Sequence, residues 1–180
     1  MIPAIAERPA PSGLCPADDI MVRPADVSDW PRIWPIWKRI VECGETHPYP
    51  IESTEQDAVS LWLAPKRSAI YVAEQAGTVV AAMMTKPMRY GNGDHVANFD
   101  LMVDPACRGL SVGRKLSTYV IEATRRAGYF AMEAYAVVET NIASVRLWRS
   151  HGFEIVGTVP GAFRHPIHGL AAVHHMYKVL

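Results

Sequence analysis

The feature that most constrains the fold is a basic loop with glycines, set between an apolar strand and an amphipathic helix. Residues 96–103 predict the strand, residues 105–111 the loop, and Gly128 the end of the helix. The first N–H groups of a helix lack intrahelical partners and lie at the positive end of its dipole. Gly109 and Gly113 remove side chains that would hold a phosphate away. The segment therefore predicts an anion site, although many purely structural helices also begin with glycine and basic residues.

The other periodicities predict a single α/β domain with a mixed sheet. Asp26 or Ser28 can cap the first helix, and Ser53 and Gln56 are spaced as a capping box for the second. Predicted strands cover residues 20–22, 70–72, 78–85, 96–103, 131–138, 153–156 and 171–179. Predicted helices cover residues 30–41, 53–62, 112–127 and 144–151.

Composition excludes several classes of protein. Eighteen basic residues balance eighteen acidic ones among 180 residues, so no overall positive field would attract nucleic acid. The uncharged stretch at residues 77–85 is far shorter than a membrane-spanning helix needs, and no secretory signal begins the chain, so we expect a cytoplasmic protein that binds no membrane. Residues 1–18 are rich in Pro and Ala and predict a flexible leader before a domain at residues 19–180.

The cysteines and histidines predict no metal site. The cysteines are odd in number and widely spaced, which favours reduced thiols: Cys15, Cys43 and Cys107. Four histidines lie close together near the C-terminus, but no carboxylate or cysteine completes a ligand set with them: His165, His168, His174 and His175.

A second motif makes the anion loop more specific. The run N-I-A-S-V-R-L-W-R-S-H-G-F at residues 141–153 follows a predicted strand. With R-G-L-S-V-G at residues 108–113, it resembles the GCN5-related N-acetyltransferase (GNAT) superfamily, whose motifs are R-x-x-G-x-G/A and N-x-x-A/S-x-x-L-Y-x-x-x-G-F. Residues 140–166 resemble the branch that contains the proline-analogue (azetidine-2-carboxylate) acetyltransferase. This chain departs from the motifs at Ser111, usually glycine, and at Trp148, often tyrosine.

The resemblance implies a fold and a cofactor. The fold would be one GNAT domain with a mostly antiparallel sheet of about seven strands, flanked by about four helices and split between the fourth and fifth strands. Acetyl-CoA would bind in the split, with its pyrophosphate on the loop amides and its pantetheine along the fourth strand. The residues so assigned to the cofactor are Met102, Val103, Arg108, Gly109, Leu110, Ser111, Val112, Gly113, Arg114, Asn141, Ser144 and Trp148.

The resemblance also implies the catalytic residues. The N–H of Leu101 would stabilise charge on the thioester oxygen. Asp100 could remove the ammonium proton through water, and Asn98 would contact the substrate or simply face solvent. Trp148 cannot protonate the leaving thiolate, because its indole N–H is not an acid. The substrate residues are Trp37, Tyr49, Asn98 and Tyr135.

The expected function is acetyl-CoA-dependent transfer of an acetyl group to the amine of a small molecule or amino acid, without a metal. Two alternatives stay open: a protein or peptide N-acetyltransferase and a non-catalytic acyl-CoA sensor. The resemblance also allows a homodimer that pairs through the last strands.

Overall fold

A computed structural model describes residues 19–180, so the predicted leader and Cys15 lie outside the described residues. The strands are β1 (Ile20–Pro24), β2 (Ala69–Gln75), β3 (Thr78–Pro87), β4 (Val96–Val103), β5 (Ala131–Val138), β6 (Glu154–His165) and β7 (Gly169–Val179). The helices are α1 (Trp30–Cys43), α2 (Glu55–Trp62), α3 (Val112–Arg126) and α4 (Ile142–Ser150).

The seven strands form one sheet in the order β1-β2-β3-β4-β5-β7-β6. Every neighbouring pair is antiparallel except β4 and β5, which are parallel. These two strands pair only where residues 96–98 meet residues 131–133, and beyond that point they separate. The sheet confirms the predicted fold, with the split between the fourth and fifth strands.

Helices cover both faces of the sheet. Apolar side chains of α1 and α2 pack on one face in a cluster that includes Trp37, Trp62 and Met102. The apolar stripe of α3 packs on the other face, together with Trp148 of α4 and Phe99. Side chains alternate across a strand, so β4 contributes Met102 to one layer and Phe99 to the other.

An ion cluster fixes the beginning of α1 against the sheet. Arg23 donates hydrogen bonds to both oxygens of Asp29, at 2.7 and 2.8 Å, and Arg32 bonds the same carboxylate. The Arg23 hydrogen bonds lower the pKa of Asp29 to about 2, so this buried carboxyl is charged near neutral pH. The cluster orients α1, whose far end leads into the loop at residues 45–49.

Several predicted boundaries need correction. The capping box of α2 is Thr54 with Asp57, because Ser53 instead closes a turn on the carbonyl of Pro50. The last helix, α4, begins at residue 142 rather than 144. The strand predicted at residues 153–156 runs from 154 to 165, and the last strand begins at residue 169. Long pairing between β6 and β7 extends both strands through sequence that has no clear alternation.

Candidate active site

A cavity of about 790 Å³ passes through the split between β4 and β5. Residues 45–49, which connect α1 to α2, line it on one face of the sheet. Parts of the loop before α3 and of α4 line it on the other face. The cavity therefore joins two halves, which we call the cofactor half (residues 108–114 and 140–148) and the acceptor half (residues 45–49 with Asn98, Asp100, Tyr135 and His165).

Backbone groups of β4 face the gap at alternate residues. The N–H of Asp104 donates to the carbonyl of Val80 in β3 at 2.8 Å. Because backbone direction alternates along a strand, Met102 also turns its N–H and C=O towards β3, whereas Leu101 and Val103 turn theirs towards the gap. The assignment of Met102 to the cofactor needs correction, since its backbone pairs within the sheet and its side chain is buried. Leu101 and Val103 are free to bond a bound chain as an added strand.

The loop before α3 has the backbone shape of an anion site. Gly109 and Ser111 both have left-handed backbone, with φ of 80° and 59°. The first hydrogen bond of the helix runs from the N–H of Lys115 to the carbonyl of Ser111, which leaves the first-turn N–H groups without intrahelical partners. Ser111 makes no side-chain cap, so these groups remain directed at the cavity. Together with the positive end of the helix dipole, they fit a pyrophosphate.

The side chains around the loop divide into two groups. Arg108 and Arg114 line the cavity and are exposed, so they can approach a phosphate. Leu110 does not line the cavity, because its partly buried side chain packs against the core beside α3. Only its backbone is available to contact a phosphate. Gly113 lies against β4 and α4: a Cβ there would approach Cγ2 of Val103 to 3.4 Å and Cδ2 of Leu147 to 3.6 Å.

The second motif builds the start of α4. Asn141 caps the helix, with its side-chain oxygen accepting the N–H of Ser144 at 3.2 Å. The Ser144 hydroxyl in turn accepts the indole N–H of Trp148 at 3.0 Å. All three residues line the cavity. Their polar atoms are largely used within the helix, so Trp148 offers a contact surface and no free donor.

The acceptor half centres on the carboxylate of Asp100. One oxygen lies 3.0 Å from Nε2 of His47, and the other accepts the hydroxyl of Tyr49 at 2.5 Å. Burial raises the pKa of Asp100, but His47 and Tyr49 lower it by more, so the net shift is downward and the carboxyl is ionised. Burial, with Asp100 beside it, raises the pKa of Tyr49, which therefore keeps its proton.

Asn98 and Tyr135 lie on opposite sides of the split. Asn98 donates to the carbonyl of Glu133 at 3.2 Å and so ties β4 to β5 where the two strands begin to separate. Tyr135 is 43% exposed and close enough to Asp100 that burial and this carboxylate raise its pKa. Both residues line the cavity, in positions from which they can contact an acceptor.

Trp37 does not reach the cavity. Its side chain is fully buried, and its ring stacks on Tyr49 with centroids 5.4 Å apart. The assignment of Trp37 as a substrate contact therefore needs correction: it supports the ring of Tyr49 from behind.

Sequence patterns gave no functional role to Thr46, Arg146 and His165, and placed His47 only in a loop that could line the acceptor pocket; all four residues line the cavity. His47 and Asp100 are 53 positions apart in the chain, and no local pattern links them. Only the run His-Pro-Tyr-Pro at residues 47–50 signals a structured loop, since two prolines restrict its backbone.

The described residues contain neither a metal-ligand cluster nor a membrane-spanning helix. Within residues 19–180, no group of three or more His, Cys, Asp and Glu side chains is arranged to hold a metal ion. No helix in the same part of the chain is both long and apolar enough to cross a membrane.

Comparison with known proteins gives a family match. Residues 30–153 match the model described as the acetyltransferase (GNAT) family. A solved structure of a GCN5-related N-acetyltransferase from Kribbella flavida is 44% identical, with a TM-score of 0.85, and the match covers 90% of this chain and 98% of that one.

Two curated proteins are also similar. N-acetyltransferase aca1 of Schizosaccharomyces pombe is 27% identical over 69% of this chain. The L-methionine sulfoximine/L-methionine sulfone acetyltransferase of Salmonella typhimurium is 32% identical over 51% of it. The matched segments span 66% and 53% of the lengths of these two relatives.

Proposed function

The chain belongs to the GNAT family of acetyltransferases, and we propose that it transfers the acetyl group of acetyl-CoA directly to the amine of a small molecule or amino acid. The observation that carries this proposal is the continuous cavity through the split, which joins the loop before α3 to a half lined in part by polar side chains. One cavity can therefore hold the acetyl donor and the amine together, as direct transfer requires.

In the proposed complex the cofactor half would bind acetyl-CoA mainly through its backbone N–H groups. The N–H groups at the start of α3 would hold the pyrophosphate, with Arg108 and Arg114 beside it. Leu101 and Val103 would pair with the pantetheine amides. The N–H of Leu101 would also donate to the thioester oxygen, where negative charge develops as the amine attacks. Asn141, Ser144 and Trp148 would line the path of the cofactor.

A small acceptor is favoured because two segments that approach each other border the acceptor half. The loop at residues 45–49 bounds it on one side and His165, at the end of β6, on the other. These two segments approach each other closely, since a Cβ on Gly44 would lie 4.0 Å from Cγ of Pro166. The Salmonella typhimurium relative is named for two small amino-acid derivatives. A protein or peptide acceptor would have to fit between these two segments and is the alternative that their proximity disfavours.

One observation favours a second candidate, an acyl-CoA sensor without turnover. The N–H of Trp148 donates to Ser144, so this residue cannot supply a proton to a leaving thiolate. In the enzymatic reading, water would protonate the thiolate instead.

Four parts of the proposal concern the wider protein. We place the catalytic domain at residues 19–180, and the protein in the cytoplasm. A proline analogue is the first acceptor to try, given the resemblance of residues 140–166. The edge strand β6 offers a surface on which a homodimer could pair, because the edge of a sheet can accept another strand.

The test is thiol release from acetyl-CoA with a panel of amino acids, proline analogues, amino-acid sulfoximines, polyamines and short peptides. Thermal stabilisation by CoA is measured on the same sample. Turnover with one class of small amine supports the proposal. Turnover with peptides alone would replace it with the protein acetyltransferase, and stabilisation without turnover on any acceptor would favour the sensor.

A further inference from the structure

We propose that His47 is the group that removes the proton from the acceptor ammonium, and that Asp100 is the positioning residue that orients its ring. The inference rests on the proposed N-acetylation, because only that reaction requires an ammonium group to lose a proton before it attacks a thioester. The sequence analysis considered Asp100 acting through water. The side-chain geometry of the acceptor half points instead to its neighbour.

Asp100 is poorly suited to receive the proton itself. Both of its oxygens already have partners, His47 at 3.0 Å and Tyr49 at 2.5 Å. Tyr49 is in turn held by the buried ring of Trp37 stacked against it. A carboxylate fixed in this way, and kept ionised by its partners, is built to hold a neighbouring ring in one orientation.

His47 has a nitrogen, Nδ1, whose present partner is a hydroxyl that a ligand can displace. When Nε2–H donates to Asp100, the neutral ring keeps its lone pair on Nδ1. The hydroxyl of Thr46 lies 2.9 Å from Nδ1, and both residues line the cavity. The acceptor ammonium would replace that hydroxyl at Nδ1. Only 14% of the His47 side chain is exposed, so the ring cannot turn freely into solvent.

The proton transfer can be written in full. An N–H bond of the ammonium breaks, its electron pair stays on nitrogen, and the proton forms an N–H bond at Nδ1 of His47. The resulting imidazolium lies against the carboxylate of Asp100, which stabilises its charge. The neutral amine then attacks the thioester carbon. As the thiolate leaves, the remaining excess proton of the amine passes to it through water.

Other titratable groups surround this pair, and they affect its pH dependence. Those that line the same cavity or act electrostatically on Asp100 are Glu45 and Tyr49 from the same loop, Lys86 from β3, Cys107 and Arg108 from the segment before α3, Arg114 from α3, Tyr135 from β5, Arg146 from α4 and His165 from β6. His165 accepts the N–H groups of Ile167 and His168 at Nδ1, so that nitrogen is not available to take a proton.

The experiment compares kcat against pH for the whole protein and three variants, with the best acceptor from the panel. His47→Gln should lower kcat by about 100-fold and remove the acidic limb of the profile. Asp100→Asn should lower kcat by about 10-fold and change the shape of the profile, since the ring would lose the carboxylate that orients it and stabilises its charged form. His174→Gln is the matched control, because His174 bonds Thr158 on the far strands outside the cavity. The kcat and the pH profile of this variant should match those of the unaltered protein.

Two readouts separate catalysis from folding. Each variant should keep its thermal stabilisation by CoA, and added imidazole should restore part of the activity of His47→Ala. The inference is overturned if His47→Gln keeps the acidic limb and most of kcat, or if imidazole restores nothing to a folded His47→Ala. If the unaltered protein acetylates no amine, the proposed function itself fails, so the two failures are distinct.

Discussion

The two halves of the cavity would present different chemical groups to their ligands. In the cofactor half, the groups that we propose to bind the ligand are mainly backbone amides, and the residues that line it come from two short runs of sequence, 108–114 and 140–148. In the acceptor half they are side chains, and they come from the loop after α1, β4, β5 and the end of β6. A site made of backbone amides suits a ligand that never changes, and a site made of side chains can be altered one residue at a time. Under the proposed function, the second half would therefore set the chemistry of the acceptor.

The largest effect should follow from a charge placed in the cofactor half. In Gly113→Asp, a carboxylate enters the first turn of α3, where the pyrophosphate would bind, and repulsion should weaken CoA binding by at least about 100-fold. Gly113→Ala is the control, because the same Cβ meets Val103 at 3.4 Å without adding charge. It should change the affinity by only a few fold. Calorimetric titration measures the CoA affinity of both variants. Equal losses of affinity would mean that contact with the new Cβ weakens binding, and not the added charge.

A moderate effect should appear in the acceptor half alone. Tyr135→Ala should raise the KM of the acceptor by about 10-fold, as expected for the loss of a large aromatic contact, and leave CoA affinity unchanged. Tyr119→Ala is the control: Tyr119 is 40% exposed, close to the 43% of Tyr135, but does not line the cavity. A change in the CoA affinity of Tyr135→Ala would contradict the prediction that Tyr135 contacts the acceptor and not CoA.

The acceptor half should also make the stability of the protein depend on acid pH, through Asp100. The partners of Asp100 lower its folded pKa below the unfolded value of about 3.9. The stability it contributes is complete above that value and is lost as the pH falls through the folded pKa. Asp100→Asn should therefore flatten the fall in Tm between about pH 5 and pH 2 relative to the unaltered protein. Measurements of Tm across this range compare the two proteins, and parallel curves of Tm against pH would contradict the lowered pKa of Asp100.

The smallest effect concerns the departure at Ser111. Its φ of 59° is unfavourable for a residue with a Cβ, so Ser111→Gly should raise the free energy of unfolding by about 0.5 kcal/mol after the entropy cost of glycine. Ser111→Ala keeps the strain and removes only the hydroxyl. Urea unfolding compares the three proteins. If CoA affinity falls in both variants alike, the hydroxyl itself contacts the cofactor.

Local sequence patterns predicted most of the fold. The bounds of β4 and β5 and the start of α3 at residue 112 are confirmed, because apolar alternation and the glycine-bearing loop are local signals. The capping box of α2 was misplaced by one residue, since Ser53 and Thr54 offer equivalent hydroxyls and only the turn at Pro50 distinguishes them. The full length of β6 depends on pairing with β7, which no local pattern encodes.

The sequence by itself determined the cofactor half, because its groups come from contiguous residues whose backbone shape follows from glycine, helix starts and caps. Tertiary structure alone decided which residues of the acceptor half meet. The split brings Asp100 to the loop that carries His47 and Tyr49, and it leaves Trp37 buried behind them. Contacts between residues some fifty positions apart depend on how sheet and helices pack, which no spacing along the chain records.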